Sequence, residues 1–181
     1  MKPLQPSSPH IIALVGTPGA GKSHFAEEFA KMFHAPLFSA DKLEMLSSDS
    51  KAVNEVALDL LKQFAKTQQT IIFDGATEQR IIRTKIAQIA RENGYKLLLV
   101  WVQTDPATAK SRWMKAHGNE TLFEQKLKHF SPPHNSEHCV VISGQHTFNT
   151  QARTVLKRLS GNRTPSNIPE RRSISNRLNI G

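Results

Sequence analysis

Short, continuous runs of apolar residues recur five times along the chain. They occupy residues 10–16, 36–40, 70–75, 96–104 and 138–144, and they are rich in Ile, Val and Leu. Continuous rather than alternating apolar character is typical of parallel strands that are covered on both faces. The pattern therefore predicts five buried strands.

Between these runs the spacing of apolar residues becomes helical. The positions that draw a helical stripe are Phe25, Phe29 and Phe33, then Val53, Val56, Ala57, Leu60, Leu61 and Phe64, and then Ile82, Ile86, Ile89 and Ala90. Asp105 is suited to be an N-cap, and Pro106 is suited to the first position of a helix. Together they predict a further helix that ends at about residue 117. Two more helices are expected at 119–130 and 147–159. Strands that alternate with helices predict a parallel α/β sheet with right-handed crossovers.

The two ends of the chain differ from the body in composition. Residues 1–9 are rich in Pro and Ser, and residues 161–181 lack any sustained apolar period. Segments of this kind bury little apolar surface and are expected to be flexible. We therefore predict one domain over residues 10–160, between a flexible N-terminal extension and a basic, disordered C-terminal tail.

The charge balance of the chain is strongly basic. Its 24 Lys and Arg residues outnumber 15 Asp and Glu residues, which gives a formal net charge of +9 over 181 residues. The tail holds four arginines and one glutamate, so the body stays basic without it. This excess of positive charge indicates an anionic ligand or partner, such as a phosphorylated molecule or nucleic acid.

Neither a membrane span nor a secretory leader is indicated by the sequence. The longest uncharged apolar run, residues 97–102, is far shorter than the roughly 18 residues that cross a bilayer. Three prolines in the first nine residues leave no room for the apolar core of a secretory signal. The single cysteine, Cys139, fits a reducing compartment and is expected to be a small buried residue in a strand. These features predict a cytoplasmic protein without a membrane partner.

Residues 16–23, GTPGAGKS, match the phosphate-binding pattern G-x-x-x-x-G-K-[ST] at every fixed position. They lie between a predicted strand and a predicted helix. Three glycines let successive backbone N–H groups turn toward a phosphate, and the helix adds the positive end of its dipole. Lys22 is expected to reach the β- and γ-phosphates, and the Ser23 hydroxyl to ligate Mg²⁺. The predicted ATP site comprises Gly16, Thr17, Pro18, Gly19, Ala20, Gly21, Lys22, Ser23 and His24.

Two aspartates follow other predicted strands and are expected at the same crevice. Asp74 ends the run TIIFDG, and a carboxylate beside the phosphate loop is suited to hold Mg²⁺ through water. Asp41 follows the run at 36–40, at the end of the sheet where open α/β folds bind ligands. A carboxylate there can accept the proton of an acceptor hydroxyl during phosphoryl transfer. For each aspartate the alternative is a turn or N-cap role.

Four cationic side chains are candidates for contacts to a phosphate or an acceptor. Arg112 and Lys115 are three residues apart on one predicted helix, so they share a face and can act as electrostatic clamps on a transferring phosphate. Arg80, Arg83 and Lys115 are possible acceptor contacts. For all four the alternative is an ordinary solvated surface charge.

Taken together, GTPGAGKS, Asp41, IIFDG and RTKIAQIARENGYKLLLVWVQTDPATAKSR make the chain resemble small P-loop kinases of the polynucleotide 5′-hydroxyl kinase and zeta-toxin-like groups. The resemblance covers about residues 10–160 and includes FSPPHNSEHCVVISG, where similar proteins have an aromatic residue, a proline and a glutamate before the fifth strand. It implies an AAA-type, adenylate-kinase-like P-loop NTPase fold in three layers, with sheet order 2-3-1-4-5. It also implies ATP with Mg²⁺ as donor, Asp41 as general base, Asp74 as metal-side carboxylate, and a mobile lid at about 112–134 that carries Arg112.

The chain departs from that family pattern at two places. Similar polynucleotide kinases have an arginine three residues after the aspartate, whereas this chain has Glu44 three residues after Asp41. The arginine that would grip an acceptor phosphate is therefore absent. A second lid arginine is also missing after Arg112, and the nearest substitutes are Lys115 and His117. A lysine offers a point charge rather than a bidentate fork.

The leading hypothesis is a P-loop kinase that transfers the γ-phosphoryl group of Mg-ATP to a hydroxyl of a small molecule or a polynucleotide. The alternative is a nucleotide-gated binding module or slow ATPase, whose basic tail engages an acidic partner such as nucleic acid. A GTPase is less favoured, because the sequence has no Asn-Lys-x-Asp segment that would read guanine.

Overall fold

Five parallel strands form the middle layer of the protein, as seen in a computed structural model that describes residues 8–44, 47 and 49–161. The strands are β1 (His10–Val15), β2 (Leu37–Ser39), β3 (Ile71–Asp74), β4 (Lys96–Gln103) and β5 (Cys139–Ser143). Their order across the sheet is β2-β3-β1-β4-β5, and every neighbouring pair is parallel. This confirms both the five strands and the order 2-3-1-4-5.

Helices cover both faces of the sheet and complete three layers. They are α1 (Lys22–Phe33), α2 (Asp41–Glu44), α3 (Ser50–Ala65), α4 (Arg80–Glu92), α5 (Pro106–His117), α6 (Glu120–His129) and α7 (Phe148–Gly161). On one face α1 and α7 pack on the sheet, and on the other face α3 and α4 do so. The predicted three-layer α/β architecture is therefore confirmed.

The strand β1 occupies the centre of the sheet, and all six of its residues are buried. It pairs with β3 on one side and β4 on the other, with Leu14 in register with Asp74. In turn Asp74 is in register with Ser39 of β2. Because the strands are parallel, the carboxyl ends of β2, β3 and β1 meet at one edge of the sheet, where the phosphate loop begins.

The helix α1 packs on the sheet through the three predicted phenylalanines. The ring centroids of Phe25 and Phe29 lie 5.0 Å apart, and those of Phe29 and Phe33 lie 4.7 Å apart. All three side chains are buried. The helix that carries the end of the phosphate loop is therefore anchored along its whole inner face.

Two details of the predicted helices need correction. The stripe predicted on α3 is only partly buried, because Val56, Leu60 and Phe64 are 48%, 36% and 37% exposed. Phe64 packs edge-on against Phe38 of the short edge strand β2, with ring centroids 6.3 Å apart, so the cover at this edge is only partial. In addition, Asp41 is the first residue of the helix after β2 rather than a residue that precedes it as an N-cap, and this helix is only four residues long.

None of the helices in the described part of the chain is long and apolar enough to cross a membrane. Cys139 is half-buried at the start of β5, and burial raises the pKa of its thiol to about 11. The predicted C-terminal tail lies outside the described residues, apart from Gly161 at the end of α7.

Candidate active site

The phosphate loop, residues 16–23, connects the carboxyl end of β1 to α1. Its backbone takes left-handed conformations at Gly19 (φ 74°) and Gly21 (φ 100°), where residues with a side chain would be strained. No side chain caps α1, and its first turn holds no acidic residue. By contrast Asp49, Asp105 and Asn119 cap α3, α5 and α6 with their side chains. The N-terminus of α1 therefore keeps its positive dipole and N–H donors for an anion.

The phosphate loop is also held from outside by close backbone packing. A Cβ at Gly16 would lie 2.6 Å from the carbonyl oxygen of Val102 in β4, and a Cβ at Gly19 would overlap the carbonyl oxygen of Ala109 in α5. The hydroxyl of Thr104 donates a hydrogen bond of 2.8 Å to the Ala20 carbonyl oxygen. The loop is thus braced against both β4 and α5 before any ligand contact is considered.

The side chain of Lys22 folds over the phosphate loop. Its Nζ donates hydrogen bonds to the carbonyl oxygens of Gly16 (2.9 Å) and Thr17 (3.1 Å). These bonds hold the ammonium group above the loop rather than in free solvent. In this position Lys22 can exchange carbonyl oxygens for the more strongly charged oxygens of a phosphate.

Asp74 lies at the carboxyl end of β3, one strand away from the strand that leads into the phosphate loop. It is 2% exposed, and its backbone carbonyl oxygen accepts a 2.7 Å hydrogen bond from the N–H of Ala40. This bond joins the end of β2 to the end of β3 and brings the backbone of Asp41 to the same edge of the sheet. The side chain of Asp41 lies outside the described residues, so its catalytic role stays a prediction.

A cavity of about 260 Å³ opens over the phosphate loop, and we call it the loop cavity. It is lined by Pro18, Gly19, Gly21, Lys22, Ser23, His24, Glu78, Arg112, Trp113, Ala116, His117 and Lys126. Its lining has three permanent cations and two histidines against one carboxylate. This balance suits a polyanionic ligand that enters above the loop.

One wall of the loop cavity is a helical hairpin, α5 and α6 with the turn between them, which we call the lid hairpin. The Trp113 indole N–H donates to the Asn119 carbonyl oxygen (2.9 Å), and its ring packs on His117 and Phe123. An exposed ion pair joins Lys110 to Glu120. The contacts of Trp113 therefore hold the two helices of the lid hairpin together.

The predicted lid residue Arg112 faces the phosphate loop. Its Nη1 donates a 3.0 Å hydrogen bond to the carbonyl oxygen of Gly144, in the turn between β5 and α7. The same guanidinium is 3.7 Å from the position that a Cβ at Gly21 would take. Lys115 is exposed and lies outside the lining of the loop cavity, so the two cations that share a face in the sequence are not brought together at the loop.

The structure gives Arg83 a different role from the acceptor contact predicted from the sequence. Its side chain is fully buried and forms an ion pair with Glu137, with Nε to Oε1 at 2.8 Å and Nη2 to Oε2 at 3.0 Å. The remaining guanidinium hydrogens go to the carbonyl oxygens of Thr77, Glu78, Ser131 and Pro132. With its N–H groups used in this way, Arg83 is a structural anchor. Arg80 is exposed, and its backbone N–H bonds to Ser131 Oγ.

Glu137 is the glutamate that precedes the fifth strand, and the structure shows what it does. Burial alone raises the pKa of this carboxyl group, but hydrogen bonds from Arg83 and from the His134 N–H lower it below its usual value. The ion pair ties the segment after the lid hairpin to the start of α4. The lid hairpin is therefore attached to the body by a buried, charged anchor at its C-terminal end.

A second cavity, of about 450 Å³, lies between the start of α3, the start of α4 and the inner side of α6. We call it the side cavity. Its lining is Ser47, Ser50, Val53, Asn54, Glu78, Gln79, Ile82, Leu122, Gln125, Lys126 and His129. Two of these residues, Glu78 and Lys126, also line the loop cavity, so the two cavities meet there. Sequence reasoning missed both residues, because neither belongs to a motif.

A third cavity, of about 500 Å³, lies at the carboxyl ends of β4 and β5. Its apolar lining includes Trp101, Phe130 and Val141, and Thr17 of the phosphate loop also lines it. Space is therefore present on both sides of the phosphate loop.

The residues predicted to hold Mg²⁺ are suitable in their chemistry. Ser23 offers a hydroxyl oxygen in the first turn of α1, and Asp74 offers carboxylate oxygens at the end of β3. Mg²⁺ prefers such oxygen ligands and completes its octahedral shell with water and substrate phosphates. The donor set therefore fits a magnesium ion that is shared with a nucleotide.

Comparison with known proteins agrees with the fold. Residues 11–130 match the model of a family that is described as AAA domain. No curated protein matches the sequence. Many solved structures are similar to the chain at the level of the fold.

Three of these structures illustrate the similarity. A gluconokinase from Sinorhizobium meliloti 1021 has a TM-score of 0.68 at 18% identity and covers 84% of this chain and 93% of its own. A sugar kinase from Janibacter sp. HTCC2649 has a TM-score of 0.66 at 14% identity, with 84% and 95% covered. The APS kinase of Mycobacterium tuberculosis, in complex with AMPPNP and APS, has a TM-score of 0.64 at 15% identity, with 86% and 99% covered. At such identities the likeness shows a P-loop kinase fold.

Proposed function

The chain belongs to the AAA domain family, and from that premise we propose that it is an ATP-dependent kinase with a small, hydroxylated acceptor. The observation that carries the proposal is the uncapped N-terminus of α1 behind a glycine loop, with the Lys22 ammonium held above it. The similarity to structures named gluconokinase, sugar kinase and APS kinase supports phosphoryl transfer.

In the proposed reaction, an acceptor hydroxyl oxygen forms a new bond to the γ-phosphorus of ATP. The bond from that phosphorus to the β,γ-bridging oxygen breaks, and its electron pair leaves with ADP. Asp41 takes the hydroxyl proton, and Lys22 stabilises negative charge on the β- and γ-phosphate oxygens. Arg112 stabilises the same charge from the lid hairpin. Magnesium, held by Ser23 and Asp74, would neutralise further charge on these phosphates.

We place the acceptor in the side cavity, next to the loop cavity. Its polar lining consists mainly of hydroxyl and amide groups, from Ser50, Asn54, Gln79 and Gln125 among others. Such groups can donate and accept hydrogen bonds, so they suit an acceptor with several hydroxyl groups. The similarity to structures named gluconokinase and sugar kinase supports this choice. The resemblance to polynucleotide 5′-hydroxyl kinases and zeta-toxin-like enzymes suggests a second class of acceptor. A polynucleotide is therefore included in the experiment below.

The test is transfer of label from γ-labelled ATP, in the presence of Mg²⁺, to a panel of acceptors. The panel contains neutral sugars, sugar acids, nucleosides and a 5′-hydroxyl oligonucleotide. We expect label on a sugar-like acceptor, and we expect Lys22→Ala and Asp41→Asn to reduce the transfer at least about 100-fold. The matched control is Lys31→Ala, which removes an exposed lysine at the far end of α1.

Different outcomes of this experiment have different meanings. Label on the oligonucleotide alone would favour the polynucleotide kinase class over a small acceptor. Phosphate release without transfer, unchanged in Asp41→Asn, would favour the slow ATPase of the alternative hypothesis. Full activity in Lys22→Ala would contradict the proposed function altogether.

A further inference from the structure

The junction of the loop cavity and the side cavity is the one place where the proposed donor and acceptor would meet. Among the described residues that line the two cavities, only Glu78 and Lys126 belong to both. Glu78 lies in the connection between β3 and α4, and Lys126 lies on α6 of the lid hairpin. A positive and a negative side chain therefore flank the path from one cavity to the other.

The geometry of α6 explains why Lys126 faces inward. Phe123 is the buried residue of this helix, and Lys126 follows it by three positions, so the two lie on the same face. Lys126 is accordingly half-buried, whereas Lys128, two positions further on, is exposed. The aliphatic stem of a lysine can line an apolar wall while its ammonium reaches a polar ligand.

Arg112 is the only arginine on α5. The two lysines of this helix, Lys110 and Lys115, are outside the lining of the loop cavity. Lys126 enters that cavity from the other helix of the hairpin. The loop cavity thus has cations on three separate elements: Lys22 on α1, Arg112 on α5 and Lys126 on α6.

We propose that Lys126 is a further catalytic residue, which binds the γ-phosphoryl group from the acceptor side while it moves between the two cavities. The proposal rests on the proposed function. During transfer, the γ-phosphorus loses its bond to the bridging oxygen and gains one to the acceptor oxygen, so the phosphoryl group moves toward the side cavity. A cation at the junction binds the moving group more strongly than the starting ATP, which accelerates the chemical step.

The test uses a mimic of the transferring phosphoryl group, so it does not require the acceptor. ADP binding is measured by calorimetry with the full chain, in the presence of Mg²⁺ with and without aluminium fluoride. We expect Lys126→Met to weaken binding of the ADP–aluminium fluoride complex at least about 10-fold, and to change ADP binding less than about threefold. Lys126→Arg should restore most of the loss, because the positive charge is retained.

The matched control is Lys128→Met, which removes the same charge from the exposed side of α6. It should bind both ligands as the wild type does. Equal behaviour of Lys126→Met and Lys128→Met, with Lys22→Ala still impaired, would overturn this inference and leave the proposed function in place. Equal losses for ADP and for its fluoride complex would also overturn it, since they indicate a merely structural role. A wild-type chain that binds neither ligand would contradict the proposed function and the inference together.

Discussion

The loop cavity lies between the phosphate loop, which the sheet supports, and the lid hairpin, and the sheet and the hairpin are held together in different ways. In β1 six consecutive residues are buried, whereas α5 and α6 together bury only Ala109, Trp113 and Phe123. Apolar burial stabilises by roughly 25 cal/mol per Å², so the sheet gains far more from it than the hairpin does. Segments with few buried apolar contacts open at lower free energy than the core. We therefore expect the cavity to open on the side of the lid hairpin before the sheet is disturbed.

The largest expected effect on stability comes from a substitution in the core between α1 and the sheet. Phe29→Ala removes a fully buried ring between Phe25 and Phe33, and we expect it to lower the free energy of unfolding by about 4 kcal/mol. Denaturant unfolding measures this loss. Phe64→Ala, at a ring that is 37% exposed, should cost clearly less. Equal losses of unfolding free energy at Phe29 and Phe64 would contradict the distinction between a fully covered helix face and a partly exposed one.

The buried anchor between the two regions should give the next largest effect. Arg83→Met leaves Glu137 without its ion-pair partner, and removal of one member of a buried pair costs roughly 3 kcal/mol. The double variant with Glu137→Gln should recover part of this loss, because no uncompensated charge remains. The control is Arg91→Met at an exposed position of α4. If the single variant unfolds at the wild-type midpoint, the anchor contributes nothing.

A change inside the lid hairpin should have a smaller and more local effect. Trp113→Ala removes the ring that joins His117 and Phe123, so we expect amide hydrogens in α5 and α6 to exchange about 10-fold faster. Amides in β1 should exchange as before, because the sheet does not depend on this ring. Faster exchange in both regions would show that the hairpin and the sheet unfold as one unit.

The smallest effect on stability is expected when the pH is lowered until Glu137, the carboxylate of the buried ion pair, takes up a proton. The pKa of Glu137 in the folded state is lowered below its usual value of 4.5, so its ion pair stabilises the fold above that pH. This contribution is lost as the pH falls through the folded-state pKa. The unfolding midpoint of the wild type should therefore fall more steeply below pH 4.5 than that of Glu137→Gln. Parallel profiles for the two proteins would contradict this assignment.

Local patterns in the sequence were sufficient to predict the sheet and the phosphate loop. Continuous apolar runs, helical stripes and the GTPGAGKS motif each depend on residues that are close in the chain. The five strands and the loop between β1 and α1 follow from such patterns, and the structure has them. The order of the strands came from the resemblance to small kinases, and it is confirmed as well.

The remaining features depend on contacts between distant parts of the chain. Arg83 and Glu137 are 54 positions apart, and no local pattern shows that their charges meet in a buried site. Glu78 and Lys126 likewise line the same two cavities although they come from distant parts of the chain. On α5, spacing alone placed Arg112 and Lys115 together, whereas the structure turns only Arg112 toward the phosphate loop.

Trp113 also supplies the protein with an optical signal of its own. The chain has two tryptophans, and the other, Trp101, lies in β4. The indole of Trp113 lines the loop cavity, with its ring centroid 4.0 Å from that of His117. Indole emission responds to the polarity of its surroundings, so a Trp101→Phe variant carries a single emitter on the lid hairpin. Stopped-flow fluorescence of this variant would show, without an attached dye, whether the lid hairpin moves when a nucleotide is added, on the microsecond-to-millisecond scale typical of lid motions.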